Sequence, residues 1–228
     1  MGGWDVPQSL KLGDLEVIRF ELGWAATNTY LVGHSETGAA VVIDPAWEGE
    51  MLAAAAEERG WRVEGIWITH GHFDHFGGVA GLARSLDGPV PVAMHPADLP
   101  LWKAQGGASF FGIPDFDPGP EPSLQLQHGM QLFLADYAFE VRHTPGHAPG
   151  HVIFWCPKGE AAFCGDLIFR AGVGRTDLPG GDWDQLLHSI REHVFTLPGT
   201  TRLLPGHGPL TTVEMEQRTN PFVATVEG

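Results

Sequence analysis

Residues 65–78 read GIWITHGHFDHFGG, a short apolar run followed by three histidines and one aspartate within six residues. An apolar run of this length is typical of a buried strand, which places the histidines on the loop that follows it. Three imidazoles and a carboxylate gain nothing from packing and are costly to bury. A histidine-rich solvated loop is the alternative, but imidazole and carboxylate together are suitable ligands for zinc and other divalent metals.

Three further candidate ligands lie downstream, each in a turn of small residues after an apolar run. His147 lies in HTPGH (143–147), Asp166 in CGD (164–166) and His207 in PGHG (205–208). Each is a weak signal alone, because lone histidines and Gly-Asp turns are common. Together they place three more donor side chains at strand ends, where α/β architectures carry their sites.

The predicted elements form two similar groups, separated by a long irregular segment. The first group has strands at 15–20, 28–32, 40–43, 65–68 and 90–94, and helices at 48–59 and 75–86. The second has strands at 124–127, 130–134, 139–143, 151–155, 161–164 and 202–204, and a helix at 184–194. A short final helix is expected to start at Thr211, which has Glu214 at the capping-box spacing. This order predicts an α+β fold, a four-layered αββα sandwich with two sheets packed face to face.

The segment 96–122 is rich in proline and contains GGASFFGIPDFDPGP (106–120). Long proline-broken segments inside compact domains are usually functional loops. We therefore expect one domain over residues 1–228 with a lid-like insertion at about 96–122. Four aromatic side chains of this insertion are expected to be exposed: Trp102, Phe110, Phe111 and Phe116.

The chain of 228 residues carries 28 acidic and 13 basic residues, a formal net charge of -15. Such a surface repels phosphate backbones and anionic lipids, which argues against nucleic acid and membranes as partners. No apolar run is long enough for a membrane span, and residues 1–12 do not have the pattern of a secretory signal. Cys156 and Cys164 cannot form a disulfide framework, so a cytoplasmic location is expected. The oligomeric state stays open.

The HxHxDH motif with the downstream His, Asp and His resembles the metallo-β-lactamase fold superfamily, over roughly residues 15–222. The stretches GRTDLPGGD (174–182) and PGHGPLTT (205–212) are most similar to glyoxalase II-type thioesterases, the hydroxyacylglutathione hydrolases. The resemblance implies an αββα fold and two metal ions. It implies that His70, His72 and His147 hold one ion, that Asp74, His75 and His207 hold the other, and that Asp166 bridges them.

Two divalent ions can share a water molecule and lower its pKa to around 7. Zinc is the expected metal, with iron or manganese as alternatives. The expected reaction is attack of this bridging hydroxide on a small-molecule thioester or thiol-derived substrate, since a thiolate leaves without a strong general acid. Asp74 is the candidate to orient the hydroxide and accept its proton. Arg175 and Tyr30 are candidate substrate contacts; the alternatives are an ion pair of Arg175 with Asp177 or Asp182, and simple packing of Tyr30.

Several other functions stay open. The stretches GRTDLPGGD and HSIREHVFTLPG (188–199) also resemble persulfide dioxygenases. An enzyme of that kind would use one iron on His70, His147 and Asp166. A lactonase or another ester hydrolase of the same fold is less favoured, and a nucleic-acid phosphodiesterase would need a basic groove. A metal-stabilised interaction module would use a closed set of four ligands, often cysteines. Glutathione hydrolases of the family carry a C-terminal helical extension that the residues after His207 are too few to form, so recognition of glutathione stays open.

Overall fold

The computed structural model describes residues 8–223, whose strands form two large sheets and one small hairpin. Seven strands form the first sheet, in the order of the chain: β1 Gln8–Leu12, β2 Leu15–Leu22, β3 Thr27–His34, β4 Ala39–Ile43, β5 Arg62–Trp67, β6 Val92–Met94 and β7 Leu124–Gln125. Strands β1 to β4 pair antiparallel, and β4 to β7 pair parallel. The sequence did not predict β1. It also placed the strand at 124–127 in the second group, which was wrong: β7 pairs with β6 at the edge of the first sheet.

Eight strands follow: β8 Gln131–Leu134, β9 Tyr137–His143, β10 Val152–Cys156, β11 Ala161–Gly165, β12 Ile168–Phe169, β13 Gly172–Val173, β14 Arg202–Pro205 and β15 Thr211–Thr212. Six of them form the second sheet, in the order β15-β14-β11-β10-β9-β8. Only β11 and β14 pair parallel in this sheet. Strands β12 and β13 form a separate hairpin, which the sequence did not predict.

The helices are short: α1 Gly49–Glu57, α2 Phe73–Phe76, α3 Val79–Ser85, α4 Leu99–Lys103, α5 Trp183–Ser189 and α6 Val213–Thr219, with 3-10 turns at Pro96–Asp98 and Gln105–Phe111 and a π-helical turn at Ile190–Val194. The helix predicted at 75–86 is therefore two helices, α2 and α3, with Gly77 and Gly78 between them. No helix within residues 8–223 is long and apolar enough to cross a membrane.

Three apolar layers hold the sheets and helices together. Between the sheets, Trp67 of β5 packs edge-on against Phe139 of β9, with ring centroids 5.0 Å apart. Leu52 of α1 is buried on the outer side of the first sheet, and Leu186 of α5 on the outer side of the second. Each such side chain contributes about 1.5–3 kcal/mol when fully buried. The order helix, sheet, sheet, helix confirms the predicted αββα sandwich.

Two of the four aromatic residues of the segment 96–122 are buried, although all four were expected to be exposed. Phe110 and Phe111 are exposed, but Trp102 and Phe116 are only 3% and 5% exposed. Trp102 stacks on Phe76 of α2 with ring centroids 4.3 Å apart. The prediction of exposure was wrong for Trp102 and Phe116, because Phe76 of α2, which is distant from both in sequence, packs against them.

The start of α6 also differs from the prediction by one residue. Thr212, not Thr211, caps the helix, and its hydroxyl accepts from the backbone N–H of Met215 at 3.2 Å. The hydroxyl of Thr211 instead donates to the buried carboxylate of Glu216. Both threonines pair with β14, but α6 begins at Val213, so Thr212 is the residue directly before the helix and the one that caps it.

Candidate metal centre

The candidate ligands lie on loops that follow the carboxyl ends of strands from both sheets. His70, His72, Asp74 and His75 lie on the loop and short helix after β5. His147, Asp166 and His207 follow β9, β11 and β14. The structure brings all seven predicted side chains together at one edge of the sandwich.

The first group of ligands consists of three buried histidines. The Nε2 atom of His147 lies 2.9 Å from Nδ1 of His72 and 3.2 Å from Nε2 of His70. All three nitrogens lie within 4.8 Å of one another, so they could hold a single metal ion. One of these histidines comes from the second sheet and two come from the first.

The second group consists of Asp74, His75 and His207, whose donor atoms also lie within 4.8 Å of one another. The Oδ2 atom of Asp74 is 3.4 Å from Nε2 of His207 and 3.7 Å from Nε2 of His75. This group could hold a second ion.

Asp166 lies between the two groups. Its Oδ2 atom is 3.6 Å from Nε2 of His147, in the first group, and 3.4 Å from Nε2 of His207, in the second. Its Oδ1 atom is 3.3 Å from Nε2 of His75. A single carboxylate therefore faces both groups, as a bridging ligand would.

Backbone carbonyls orient two of the imidazoles. Nδ1 of His147 donates to the carbonyl of Arg175 at 2.7 Å, and Nδ1 of His207 donates to the carbonyl of Ala25 at 3.1 Å. A carbonyl can only accept a hydrogen bond, so the proton lies on Nδ1. In the neutral imidazole the lone pair of Nε2 then faces the centre. A hydrogen bond of this kind at the other ring nitrogen is the usual support of a metal-binding histidine.

Asp44 supports two more ligands and was missed by the sequence analysis. Its Oδ2 atom lies 2.9 Å from Nδ1 of His75 and accepts from the hydroxyl of Thr69 at 2.6 Å. Its Oδ1 atom accepts from the backbone N–H of Thr69 at 2.7 Å. Since the Thr69 hydroxyl gives its proton to Asp44, it accepts from Nδ1 of His70 at 3.1 Å. The available signal was an acidic residue between the apolar run of β4 and Pro45.

Two buried polar atoms at the centre have no hydrogen-bond partner among the described residues: Nε2 of His75 and Oδ1 of Asp166. An unsatisfied buried group of this kind costs about 1–3 kcal/mol. When Nε2 of His75 is deprotonated, its lone pair and the carboxylate oxygen that faces it fit a cation bound between them. The donor set of the centre therefore fits divalent metal ions.

The two groups differ in charge. Burial and the neighbouring His147 lower the pKa of His72 to about 3, and burial and His75 hold the pKa of His70 well below its usual value. These imidazoles are neutral, as metal ligands must be. Burial alone would lower the pKa of His207, but Asp166 and Asp74 raise it to about 10. The carboxylates thus concentrate negative charge around the second group.

Tyr30 does not reach the centre. It is 3% exposed, and its hydroxyl donates to the carbonyl of Pro205 at 2.7 Å. The side-chain amide of Asn28 donates to the same carbonyl at 2.9 Å. The expectation that Tyr30 contacts substrate is therefore corrected: it supports the turn that carries His207.

The turn with His207 can approach the centre because Gly206 has no side chain. A Cβ atom on Gly206 would lie 2.2 Å from Oδ1 of Asp166 and 2.7 Å from Cε1 of His75. Both distances are shorter than any van der Waals contact. Glycine at this position is therefore a steric requirement of the centre.

Arg175 lies at the rim, because its carbonyl accepts from His147 while its guanidinium is largely exposed. The guanidinium donates to both carboxylate oxygens of Asp177, at 2.7 and 2.6 Å. Asp182 instead caps α5 through the backbone N–H of Gln185. Of the two predicted ion-pair partners, the structure shows Asp177.

His151 supports the centre from behind. Its Nε2 atom accepts from the backbone N–H of Asp166 at 3.1 Å, and its Nδ1 atom lies 2.9 Å from the hydroxyl of Thr144. His143 is farther away, stacked on His95 with ring centroids 4.1 Å apart.

An aromatic surface borders the centre on the side of the turn between β2 and β3. Trp24 is 63% exposed and stacks on Phe73, with ring centroids 5.9 Å apart. Phe111 lies 5.1 Å from the Phe73 ring. Trp24 precedes Ala25, which accepts from His207, so this apolar surface adjoins the second group of ligands.

Residues 22–207 match the family model of the metallo-beta-lactamase superfamily, and the chain belongs to this superfamily. It is a metallohydrolase of that class. Hydroxyacylglutathione hydrolase GloC of Haemophilus influenzae is 35% identical, over 86% of this chain and 92% of its own. The solved structure of TTHA1623 in a di-iron-bound form is 44% identical, with a TM-score of 0.81 over 90% of this chain and 99% of that one. BLEG-1 B3 metallo-beta-lactamase is 33% identical, with a TM-score of 0.85 over 91% of this chain and 99% of its own.

Proposed function

We propose that this protein hydrolyses a small-molecule thioester, in the manner of glyoxalase II-type enzymes, at a pair of divalent metal ions. The observation that carries the proposal is Asp166, whose carboxylate faces both groups of ligands at 3.3 to 3.6 Å. The similarity to the hydroxyacylglutathione hydrolase GloC supports the thioester as substrate class.

In this proposal His70, His72 and His147 would hold one ion, Asp74, His75 and His207 would hold the other, and Asp166 would be a ligand of both. Two bound divalent cations supply a polarising charge for a carbonyl and lower the pKa of a bound water. Zinc is the proposed metal, with iron and manganese as alternatives; the di-iron form of TTHA1623 makes iron the first alternative to test.

Asp74 is the proposed catalytic base. Its Oδ2 atom accepts from the hydroxyl of Thr27 at 3.1 Å and faces His207, which holds the carboxylate in one orientation. Its side chain keeps 14% exposure, so the second oxygen can receive a proton from an attacking water. His75 and His207 overcome the effect of burial and lower the pKa of Asp74, which keeps it ionised and able to accept that proton.

The leaving group decides between a thioester and an amide. All five histidines that face the ions are used as ligands. His151 and Asp44 contact the centre only from behind, through Asp166 and His75, and both are buried there. A thiolate can leave without protonation, whereas an amine needs a general acid. The site therefore favours a thioester.

Arg175 is the proposed contact for an anionic part of the substrate. Its backbone lies against His147, and its guanidinium is at the solvent edge of the centre. In a chain with a net charge of -15, a local cation is needed to attract an anion to the site. An incoming carboxylate would replace Asp177 as the partner of the guanidinium.

We also retain the cytoplasm as the proposed location. Cys156 and Cys164 are buried, free thiols. Free thiols of this kind are typical of a reducing compartment.

A mononuclear iron persulfide dioxygenase is the second candidate. Nε2 of His70 and Oδ2 of Asp166 lie 3.2 and 3.6 Å from Nε2 of His147, which is the two-histidine, one-carboxylate set that such an iron uses. The intact group of Asp74, His75 and His207 favours the binuclear hydrolase instead.

The test is elemental analysis of the purified protein, followed by assays on S-lactoylglutathione, glutathione persulfide and a chromogenic β-lactam side by side. We expect about two metal ions per chain and hydrolysis of the thioester. One ferrous ion with oxygen uptake on the persulfide would establish the dioxygenase instead. A fully loaded protein that cleaves only the β-lactam would refute thioester hydrolysis.

A further inference from the structure

Asp98 is a fully buried carboxylate at the end of the 3-10 turn Pro96–Asp98. Its Oδ2 atom accepts from the backbone N–H of Gly71 at 2.9 Å, and its Oδ1 atom accepts from the backbone N–H of Gly150 at 2.6 Å. Each oxygen thus has its own donor, and both donors are backbone groups.

The two donors belong to different ligand loops. Gly71 lies between His70 and His72, on the loop after β5 of the first sheet. Gly150 lies on the loop after β9 of the second sheet, which also carries His147. One carboxylate therefore connects the two loops that together form the three-histidine group. A backbone hydrogen bond also connects the two segments, from the N–H of Val152, the first residue of β10, to the carbonyl of Thr69 at 2.8 Å.

The loops are packed closely around this carboxylate. A Cβ atom on Gly150 would lie 2.7 Å from Cγ of Asp98, and one on Gly71 would lie 3.1 Å from its Cβ. The two loops therefore lie about as close to each other as they can with the Asp98 carboxylate between them.

Asp98 has no ion-pair partner among the lysines and arginines of residues 8–223. Burial raises its pKa to about 6 while the N–H groups of Gly71 and Gly150 lower it, so the carboxylate is ionised at neutral pH. A buried charge is costly unless it is well hydrogen-bonded. Its two N–H donors are the interactions that compensate for this cost.

We propose that Asp98 is a positioning residue: by holding Gly71 and Gly150 on its two oxygens, it sets the spacing of His70, His72 and His147. This inference rests on the proposed metal site and adds to it a residue that touches neither ion nor substrate. The carboxylate acts through the loop backbones, because its oxygens bond to no ligand side chain.

The variant Asp98→Asn has the same shape but replaces one acceptor oxygen with an NH2 group, which would face a backbone N–H. We expect one of the two ions to bind about tenfold to a hundredfold more weakly, as is usual when a group supporting a ligand is lost. The measurement is competition for Zn²⁺ against a chromogenic chelator, with the absorption spectrum of the Co²⁺-loaded protein as a second readout of ligand geometry. We expect both the Zn²⁺ affinity and the Co²⁺ absorption spectrum to change.

Asp117→Asn is the matched control, because Asp117 is an exposed carboxylate on the same segment that pairs with Arg84. It removes the same charge without touching a ligand loop, and should bind both ions as the wild type does. Asp98→Glu separates charge from spacing: it keeps the charge but lengthens the side chain. We expect it to weaken the same ion. A Glu variant with wild-type affinity would overturn the proposal.

A measurement on the wild type covers the case in which the Asp98 variants do not fold. In the metal-free protein, the amide hydrogens of Gly71 and Gly150 should exchange slowly with solvent, because Asp98 holds them before any ion binds. Fast exchange of either amide would overturn the inference. A wild type that binds no metal would refute the proposed function, whereas two tight ions in both wild type and Asp98→Asn would refute this inference alone.

Discussion

The imidazole of His75 donates from Nδ1 to Oδ2 of Asp44 across 2.9 Å, in a contact almost completely enclosed by protein. The same carboxylate accepts twice from Thr69, so three bonds fix its position. Because Asp44 is itself held rigidly, the Nε2 atom of His75 has one orientation, towards Asp166 and Asp74.

Replacing Asp44 with asparagine should weaken the second metal group. The amide cannot accept from every donor around it, so His75 loses its orientation, and we expect affinity for one ion to fall about tenfold to a hundredfold. Chelator competition measures this loss. Asp87→Asn, which changes an exposed carboxylate, is the control and should have no effect. Unchanged affinity in Asp44→Asn would show that the loop alone orients His75.

Replacing Asp74 with alanine should remove the proposed base. General base catalysis contributes about 10²–10⁴-fold, so kcat on the thioester should fall by at least that factor. Asp74 is also a proposed ligand, so rates must be compared between samples with equal metal content. A rate near that of the wild type at full loading would exclude the role assigned to Asp74.

Metal binding should release protons and become tighter as pH rises. In the metal-free protein Asp166 and Asp74 outweigh burial, raising the pKa of His207 to about 10 and the pKa of His75 above its usual value. Because these folded-state pKa values are above the unfolded value of about 6.5, protonation of the two histidines stabilises the metal-free fold. This stabilisation is complete below about pH 6.5 and is lost as the pH rises towards 10. An ion must displace these protons at neutral pH. Titration calorimetry in two buffers of different ionisation enthalpy counts them, and a count of zero would contradict the assignment.

Replacing Tyr30 with phenylalanine should affect stability and not substrate binding. The variant loses one buried hydrogen bond to Pro205, which contributes about 0.5–1.5 kcal/mol to the free energy of unfolding. Denaturant unfolding measures the loss, and KM should stay at the wild-type value. A raised KM with unchanged stability would restore the substrate contact that the structure argues against.

Replacing Arg175 with glutamine should raise KM for an anionic thioester and leave kcat nearly unchanged. A charge-assisted hydrogen bond contributes about 1.5–3 kcal/mol, so the increase should be tenfold or more. Asp177→Asn is the matched variant: it frees the guanidinium from its ion pair and should lower KM. Identical KM values in all three proteins would remove Arg175 from the substrate site.

Part of the centre follows from local sequence. His70, His72, Asp74 and His75 all lie within eight residues of the end of β5, so the local sequence alone places them at the same edge of the sheet. His147, Asp166 and His207 were also recognisable, since each follows an apolar strand in a turn of small residues. The strand and helix order was enough to predict two sheets with outer helices, but it assigned the strand at 124–127 to the second sheet, whereas β7 pairs with β6 of the first.

The supporting residues needed the tertiary structure. Asp44 is 31 residues from His75 in sequence, and Asp98 is 52 residues from Gly150. Neither stands in a pattern that distinguishes it from an ordinary turn aspartate, because its partners are backbone and imidazole N–H groups that only folding brings near. Trp102 and Phe116 were misjudged for the same reason.

The linear chain by itself specified which side chains are available to bind metal and which strands carry them, because both depend on neighbours within a few residues. Only the packing of the two sheets decided how far apart those side chains lie, that Asp166 faces both groups, and that Tyr30 points into the core. These outcomes depend on contacts across the sandwich, between residues that no local pattern relates.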